Sequence, residues 1–159
     1  TKMKRLTYLF ALALCILTGC EPDDICLAET PGIPQLVVVF YDALQPEIKK
    51  EASNLQVKGF GFETEIHKGT TDSIVIPLRT IENETAFVFT KTENDIAFEE
   101  EITFKYETYD RFISRACGYQ KNFTNIRSER LNSIVWINYI EIIKDSISDT
   151  NNTHVKILH

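Results

Sequence analysis

Short stretches in which apolar and polar residues alternate recur along most of this sequence, and they constrain its fold more than any other feature. The clearest stretch runs from Glu101 to Tyr109, with Ile102, Phe104 and Tyr106 at every second position. Successive side chains of a strand point to opposite faces, so this period of two predicts a strand with one face buried and the other in water. The same pattern is typical of an antiparallel sheet that is solvated on one side.

Further segments are predicted as strands from alternation or from their β-branched and aromatic content. Leu36–Tyr41 is continuously apolar, so we expect a strand covered on both faces. Pro77 places the segment Ser73–Leu78 at a sheet edge, and Glu93-Asn94-Asp95 marks a turn. The other predicted strands are Leu55–Phe62, whose Gly59 and Gly61 indicate a bulge or close backbone contact, Thr85–Thr90, Phe112–Tyr119, Ile134–Ile143 and His154–Leu158.

These segments leave little room for helices in the body of the chain. They predict an all-β fold, an immunoglobulin-like antiparallel β-sandwich of about seven to nine strands. A small antiparallel barrel is the second possibility. Residues 36–159 are expected to form this single domain, after an N-terminal signal helix and a linker.

A basic start and a short apolar run form the N-terminus. Lys2, Lys4 and Arg5 precede the apolar run Leu6–Leu17. Twelve helical residues span about 18 Å, which is too short for a bilayer core of about 30 Å. Residues 1–19 are therefore predicted to be a secretory signal peptide.

The residues Leu17-Thr18-Gly19-Cys20 resemble the bacterial lipobox. The resemblance implies that the Cys20 thiol is diacylated, that the signal is cut just before it, and that the new N-terminus is usually acylated. Two or three acyl chains make a stable membrane anchor. The alternative is a chance cysteine at the end of an ordinary secretory signal.

An acidic cluster, Glu21-Pro22-Asp23-Asp24, follows this cysteine directly. It resembles the surface-export signal of lipoproteins in Bacteroidetes-type bacteria, with Glu21, Asp23 and Asp24 as the charges that are read. The alternative is a solvated acidic tether. In either case residues 20–35 are predicted to be a tether or linker.

The charge balance excludes one class of partner. The chain carries 17 basic and 23 acidic residues, a formal net charge of -6 at pH 7. A protein that follows a phosphate backbone needs a basic stripe, and the sequence has none, so nucleic acid is not an expected partner.

The four cysteines leave two that can pair. Cys15 lies in the signal peptide and Cys20 is taken by lipid, which leaves Cys26 and Cys117. An exported protein matures in an oxidising compartment, so we expect a Cys26–Cys117 disulfide. Two free buried thiols are the alternative. No metal site is predicted, because the three His residues are scattered and no CxxC or HxxxH spacing occurs.

Three further stretches and the lipobox together resemble an uncharacterised family of Bacteroidetes lipoproteins, a domain of unknown function. The stretches are Asp110-Arg111-Phe112, Ala116-Cys117-Gly118-Tyr119 and His154-Val155-Lys156-Ile157. The resemblance covers most of the chain and implies no catalytic residues, because none are assigned in the family.

The residues themselves predict no catalytic centre and no cofactor. No GxSxG, HExxH, P-loop or GxGxxG pattern occurs. His67 and His154 are predicted to be solvated side chains rather than bases. Glu99-Glu100-Glu101 is predicted to be a solvated edge rather than a cation site, since consecutive strand side chains cannot converge. Asp149-Thr150-Asn151 lacks the glycine that a calcium loop requires.

Two serines resemble acceptor sites for O-glycosylation of exported Bacteroidetes proteins. They are Ser73, within Asp72-Ser73-Ile74, and Ser146, within Asp145-Ser146-Ile147. Both lie at predicted borders between strand and loop, where a glycan could be accommodated.

These observations predict a lipoprotein anchored to the outer membrane, and one that is exposed on the cell surface if the acidic cluster acts as an export signal. Its expected role is that of a non-enzymatic structural or accessory subunit that binds a protein partner in the cell envelope. The alternative is a surface glycan-binding module, with rings supplied by Tyr41, Tyr109, Tyr119 and Tyr139. Against this alternative stands ordinary packing of these tyrosines on strands.

Overall fold

Nine strands in two sheets make up the fold in a computed structural model, which describes residues 25–26, 30, 32–131 and 135–159. The described residues contain no helix, so the prediction of an all-β fold is confirmed. The strands are β1 (Leu36–Tyr41), β2 (Ala52–Gly59), β3 (Glu65–Thr71), β4 (Ser73–Ile76), β5 (Glu84–Glu93), β6 (Ile96–Ser114), β7 (Gly118–Arg130), β8 (Tyr139–Ile142) and β9 (Val155–Leu158).

The four-stranded sheet has the order β4-β1-β9-β8. Strand β1 lies in its interior, antiparallel to β4 and parallel to β9, with Val38 opposite both Ile74 and Val155. The continuously apolar β1 is therefore an inner strand. Strand β4 lies at the edge and ends directly before Pro77, which confirms the predicted edge position.

The five-stranded sheet has the order β3-β2-β5-β6-β7. The β5–β6 hairpin has continuous register from Glu84 opposite Lys105 to Glu93 opposite Ile96. Its turn residues Asn94 and Asp95 both have positive φ, 49° and 61°. Positive φ at both central residues is typical of the two-residue hairpin turn whose twist fits the strands, so the predicted turn is confirmed.

One hydrophobic cluster contains buried side chains from both sheets. The predicted inward residues Ile102, Phe104 and Tyr106 are all buried. Aromatic rings meet within the cluster: the centroids of Phe104 and Phe87 are 6.2 Å apart, and those of Tyr106 and Phe123 are 5.1 Å apart. Aromatic pairs of this kind add packing energy beyond the buried area alone.

The predicted strand Phe112–Tyr119 is wrong. Strand β6 continues to Ser114, the chain turns over residues 115–117, and β7 begins at Gly118. Gly118 has a φ of +69°, which favours glycine, and the Ser114 hydroxyl accepts a hydrogen bond from the Cys117 N–H at 3.0 Å. The segment is thus the end of a hairpin.

The predicted strand Ile134–Ile143 is mostly wrong, and two real strands carry no clear sequence signal. Among the described residues of that segment, only Tyr139–Ile142 is strand, as β8. The alternation of apolar and polar residues does not predict strands β3 and β7, because both are mainly polar. In β7, Phe123 and Ile126 are the buried apolar residues.

The chain divides into two compact units, and both sheets lie largely in the second. Of the described residues, the first comprises 25–26, 30 and 113–118, and the second comprises 32–112, 119–131 and 135–159. Within the first unit, Cys26 and Cys117 form a disulfide with an Sγ–Sγ distance of 2.01 Å and a Cα–Cα distance of 4.8 Å. The Thr30 hydroxyl lies 3.5 Å from the Cys117 sulfur.

Candidate functional site

An apolar groove opens where two connections meet the five-stranded sheet, and its volume is about 250 Å³. One wall comes from the end of β2, the β2–β3 connection and the start of β3. The other comes from the residues that follow β4 and from the start of β5. The lining residues are Gly59, Phe62, Thr64, Ile66, Pro77, Leu78, Arg79, Thr85 and Phe87.

Two glycines shape the first wall. The Phe62 N–H donates to the Gly59 carbonyl at 3.0 Å, and Gly61 between them has a φ of +78°. A side chain at Gly59 would lie 3.2 Å from Cδ2 of Phe62, closer than ordinary van der Waals contact. Gly61 therefore allows the turn and Gly59 allows Phe62 to fold back over the backbone, as the predicted close contact requires.

A closed ring of hydrogen bonds fixes the second wall. The Arg79 N–H donates to the Thr85 hydroxyl at 3.0 Å, and that hydroxyl lies 2.6 Å from the Tyr106 hydroxyl. The Tyr106 hydroxyl in turn donates to the Arg79 carbonyl at 2.8 Å. Each hydroxyl donates once and accepts once, so both backbone groups of Arg79 are satisfied. Burial is the main cause that raises the pKa of the Tyr106 phenol, which stays a neutral donor.

Arg79 and Phe62 form the rim where the two walls approach each other. The Arg79 guanidinium carbon lies 5.7 Å from the centre of the Phe62 ring, within the range of a cation–π contact. The same guanidinium pairs with Glu82 at 2.6 Å. Phe62 is nevertheless 58% exposed and Ile66 is 37% exposed, so apolar surface remains open to a binding partner.

The groove is suited to binding an apolar group. Its polar lining consists of Arg79 and the hydroxyls of Thr64 and Thr85, and the Thr85 hydroxyl is already held in the ring described above. Among the described residues that line it there is no carboxylate, histidine or cysteine. Across the described ranges there is no group of three or more His, Cys, Asp or Glu side chains that could hold a metal ion.

A family model matches residues 54–159, which include every residue that lines this groove, most of β2 and all of β3 to β9. The chain belongs to a family of unknown function, DUF6452. The prediction of an uncharacterised family is thus confirmed, while the lipoprotein and Bacteroidetes assignments stay predictions because the match begins after the lipobox. Comparisons with curated proteins and with solved structures give no match.

The predicted anchor and export residues of this DUF6452 member, Cys20, Glu21, Asp23 and Asp24, lie outside the described residues. The predicted pair Cys26 and Cys117 is joined in the structure, away from the groove lining. Within the described ranges, no helix is long and apolar enough to cross a membrane.

The two predicted glycosylation serines differ in exposure. Ser73 is exposed at the start of β4, and its hydroxyl donates to Asp72 at 2.9 Å. Ser146 is half-buried beside Ile147, which is fully buried and bridges to Phe123 of β7. Ser73 is therefore the more accessible hydroxyl.

The four tyrosines proposed for glycan binding are spread over strands β1, β6, β7 and β8. Tyr139 and Tyr119 are well exposed, while Tyr41 is half-buried with the Lys156 ammonium 4.4 Å from its ring centre. Tyr119 meets Phe112 edge to face, with an interplanar angle of 66°. Tyr41 and Tyr139 thus belong to the four-stranded sheet, and Tyr109 and Tyr119 belong to the five-stranded sheet.

The prediction that His154 is solvated is wrong. His154 is fully buried, and its Nδ1 accepts a hydrogen bond from the Val37 N–H at 3.1 Å. Desolvation lowers the pKa of His154, with a further contribution from the Lys144 charge. The ring therefore acts as a neutral acceptor that holds β1.

The prediction of a solvated Glu99–Glu101 edge is wrong for its central residue. Glu100 is 1% exposed and pairs with Arg130 at 3.1 Å. Its other oxygen accepts the N–H groups of Trp136 and Ile137 at 3.2 and 2.8 Å. Alternation along the strand turns Glu100 inward while its neighbours face outward, and the pair has a structural role.

Proposed function

We propose that this chain is an outer-membrane-anchored lipoprotein that acts as a non-enzymatic structural or accessory subunit and binds a protein partner in the cell envelope. The lipobox residues support the anchor. The observation that carries the binding role is the apolar groove, whose exposed Phe62 and Ile66 would be buried by a partner. Exposed apolar surface of this kind marks interaction sites on soluble domains.

The arrangement of aromatic rings supports a protein partner over the glycan-binding alternative. Sugars stack on open, flat ring faces, whereas a cation covers the Tyr41 ring and Tyr119 packs edge to face with Phe112. The groove instead combines apolar walls with a single cationic rim residue, Arg79. A peptide segment with a bulky apolar side chain fits this combination.

Co-purification from the native membrane tests the binding role. The full chain is extracted in detergent with whatever protein accompanies it, as wild type, as Phe62→Glu and as Phe60→Glu. Phe60 is 54% exposed, close to the 58% of Phe62, but does not line the groove. A charge in the groove should remove the partner in the Phe62 variant, and the matched control should retain it.

Two outcomes contradict the proposal. Either both variants keep the same partner, in which case the groove is not the binding surface, or the wild type brings no protein from the membrane. Thermal unfolding of both variants separates loss of binding from loss of folding.

The anchor has its own test. Cys20→Ala should abolish acyl labelling and release the protein from the membrane, because the lipid thioether cannot form. Labelling that persists in this variant contradicts the lipobox assignment. Changing Glu21, Asp23 and Asp24 to Ala should leave acylation intact and move the protein to the periplasmic face, as protease shaving of whole cells would measure.

We further propose that the two sheets form an immunoglobulin-like sandwich and that Ser73 and Ser146 are glycan acceptors. The single hydrophobic cluster shared by both sheets supports the sandwich. The exposed hydroxyl of Ser73 supports modification there first. Intact-mass measurement of Ser73→Ala and Ser146→Ala variants of the exported protein tests the acceptors one at a time.

A further inference from the structure

The end of the β6–β7 hairpin carries an exposed aromatic pair, Phe112 and Tyr119. Phe112 is 55% exposed and Tyr119 is 70% exposed, and their ring centroids are 5.4 Å apart. Both residues belong to strands of the five-stranded sheet, but neither belongs to the hydrophobic cluster. Both large rings remain exposed to solvent although they pack on each other. We therefore expect another surface to cover them when the protein is in its native environment.

The covalent chain limits how far this pair can lie from Cys20. Cys26 comes six positions after Cys20, and its disulfide to Cys117 leads to Tyr119 two positions later. At no more than about 3.6 Å per residue, this route from Cys20 to Tyr119 cannot exceed roughly 34 Å. Without the disulfide, the shortest covalent route would run through the whole sandwich of strands.

We propose that the Phe112–Tyr119 pair docks into the headgroup region of the same bilayer that holds the Cys20 lipid. This inference rests on the proposed anchor. We assign the pair to a lipid surface rather than to a protein partner, because the disulfide makes the covalent route from this end of the hairpin to the acyl chains short. Tyrosine is enriched at membrane–water interfaces, where its ring is buried and its hydroxyl stays hydrated.

Neighbouring charges are compatible with this position. Arg111 is exposed beside Phe112, and Lys121 pairs with Asp110 at 3.0 Å, so the charges next to the pair are balanced or cationic. Basic side chains beside interfacial aromatic residues favour contact with lipid phosphates. The acids of the tether, Glu21 to Asp24, would stay in the aqueous layer beside the headgroups.

Fluorescence quenching in proteoliposomes tests the contact. The full acylated chain is reconstituted into phosphatidylcholine vesicles that contain lipids brominated near the headgroup end of the acyl chain. Zwitterionic lipid is chosen so that the acidic tether is neither attracted nor repelled. The variants are Phe112→Trp, Tyr119→Trp and, as the matched control, Phe60→Trp, which is 54% exposed in the β2–β3 connection. Trp136 is common to all three.

We expect the bromolipid to remove about half of the added fluorescence in the Phe112 and Tyr119 variants, because an interfacial Trp lies at headgroup level. The Phe60 variant should lose no more than the wild type. Removing the disulfide with Cys26→Ala and Cys117→Ala in the Phe112→Trp background should abolish the quenching, since the short covalent route is then lost.

Three results overturn the inference. The first is an acylated protein in which bromolipid quenches none of the added tryptophans at positions 112, 119 and 60, which leaves the proposed anchor intact. The second is equal quenching at all three positions, which indicates non-specific contact. The third is a chain that mass spectrometry shows to lack acyl groups, which overturns the anchor as well.

Discussion

The two sheets are closed in different ways. In the five-stranded sheet, β2 pairs with β3, β5 with β6 and β6 with β7, so most of its ladders join neighbours in sequence. The four-stranded sheet joins β1 to β9, and the paired residues Val38 and Val155 are 117 positions apart. One sheet therefore depends on local hairpins, and the other on a contact that spans most of the chain.

Two buried polar side chains, Glu100 in β6 and His154 directly before β9, are accommodated in different ways. Glu100 in β6 is paired with Arg130 and accepts two backbone N–H groups. Arg130 donates to the Ile137 and Asn138 carbonyls, at 2.6 and 3.3 Å. This pair thus holds the segment through which the chain passes from β7 to β8. His154, before β9, remains neutral and accepts a single N–H.

The largest effect should come from breaking the buried ion pair. Arg130→Ala leaves Glu100 buried without its counter-ion, which should lower the free energy of unfolding by about 3–5 kcal/mol. Urea unfolding at pH 7 measures the loss. Lys105→Ala removes a pair with Glu129 on exposed side chains and should leave the midpoint almost unchanged. Equal losses in the two variants would show that Glu100 is hydrated.

Matched core truncations should separate the two sheets by their kinetics. Ile157→Ala in β9 and Ile102→Ala in β6 each remove a fully buried side chain and should cost about 2–5 kcal/mol. Contacts of long sequence separation form late, so Ile157→Ala should mainly accelerate unfolding, whereas Ile102→Ala should slow folding. Stopped-flow measurements in urea distinguish these outcomes, and the reverse pattern would mean that β1 and β9 meet first.

Acid should weaken the fold by a smaller amount, through the buried histidines. Burial lowers the pKa of His154 and of His159 from the ordinary 6.5. Between the lowered pKa and 6.5 the unfolded chain binds more protons than the folded chain. The contribution of these histidines to the free energy of unfolding is therefore fully present above pH 6.5 and is lost as the pH falls below it. Thermal unfolding from pH 8 to pH 5 measures this. His154→Gln should flatten the dependence, and an unchanged slope would place its origin elsewhere.

The sequence predicts the strands in which burial determines the pattern of apolar residues. Strand β6 is evident from Ile102, Phe104 and Tyr106, and β1 from its unbroken apolar run, because burial selects these residue types directly. The sequence does not predict the polar strand β7, because its position in the sheet depends on the hairpin that it forms with β6 and not on its own composition. Glu100 was missed because its partner Arg130 lies 30 positions away.

The groove was only partly predictable. Gly59 and Gly61 marked a close backbone approach, but its second wall depends on a ring of hydrogen bonds among Arg79, Thr85 and Tyr106 that no local pattern encodes. A threonine and a tyrosine on neighbouring strands look like ordinary sheet residues. Their joint role is visible only when β5 and β6 are paired in register.

The parallel pairing of β1 with β9 has a consequence for biosynthesis. A ribosome adds residues at about 5–20 per second, so Leu36–Tyr41 waits several seconds for its neighbour to be made. During this interval the most apolar strand presents one unpaired edge, a template for pairing with other chains. The four-stranded sheet therefore cannot be completed until residues 155–158 have been synthesised.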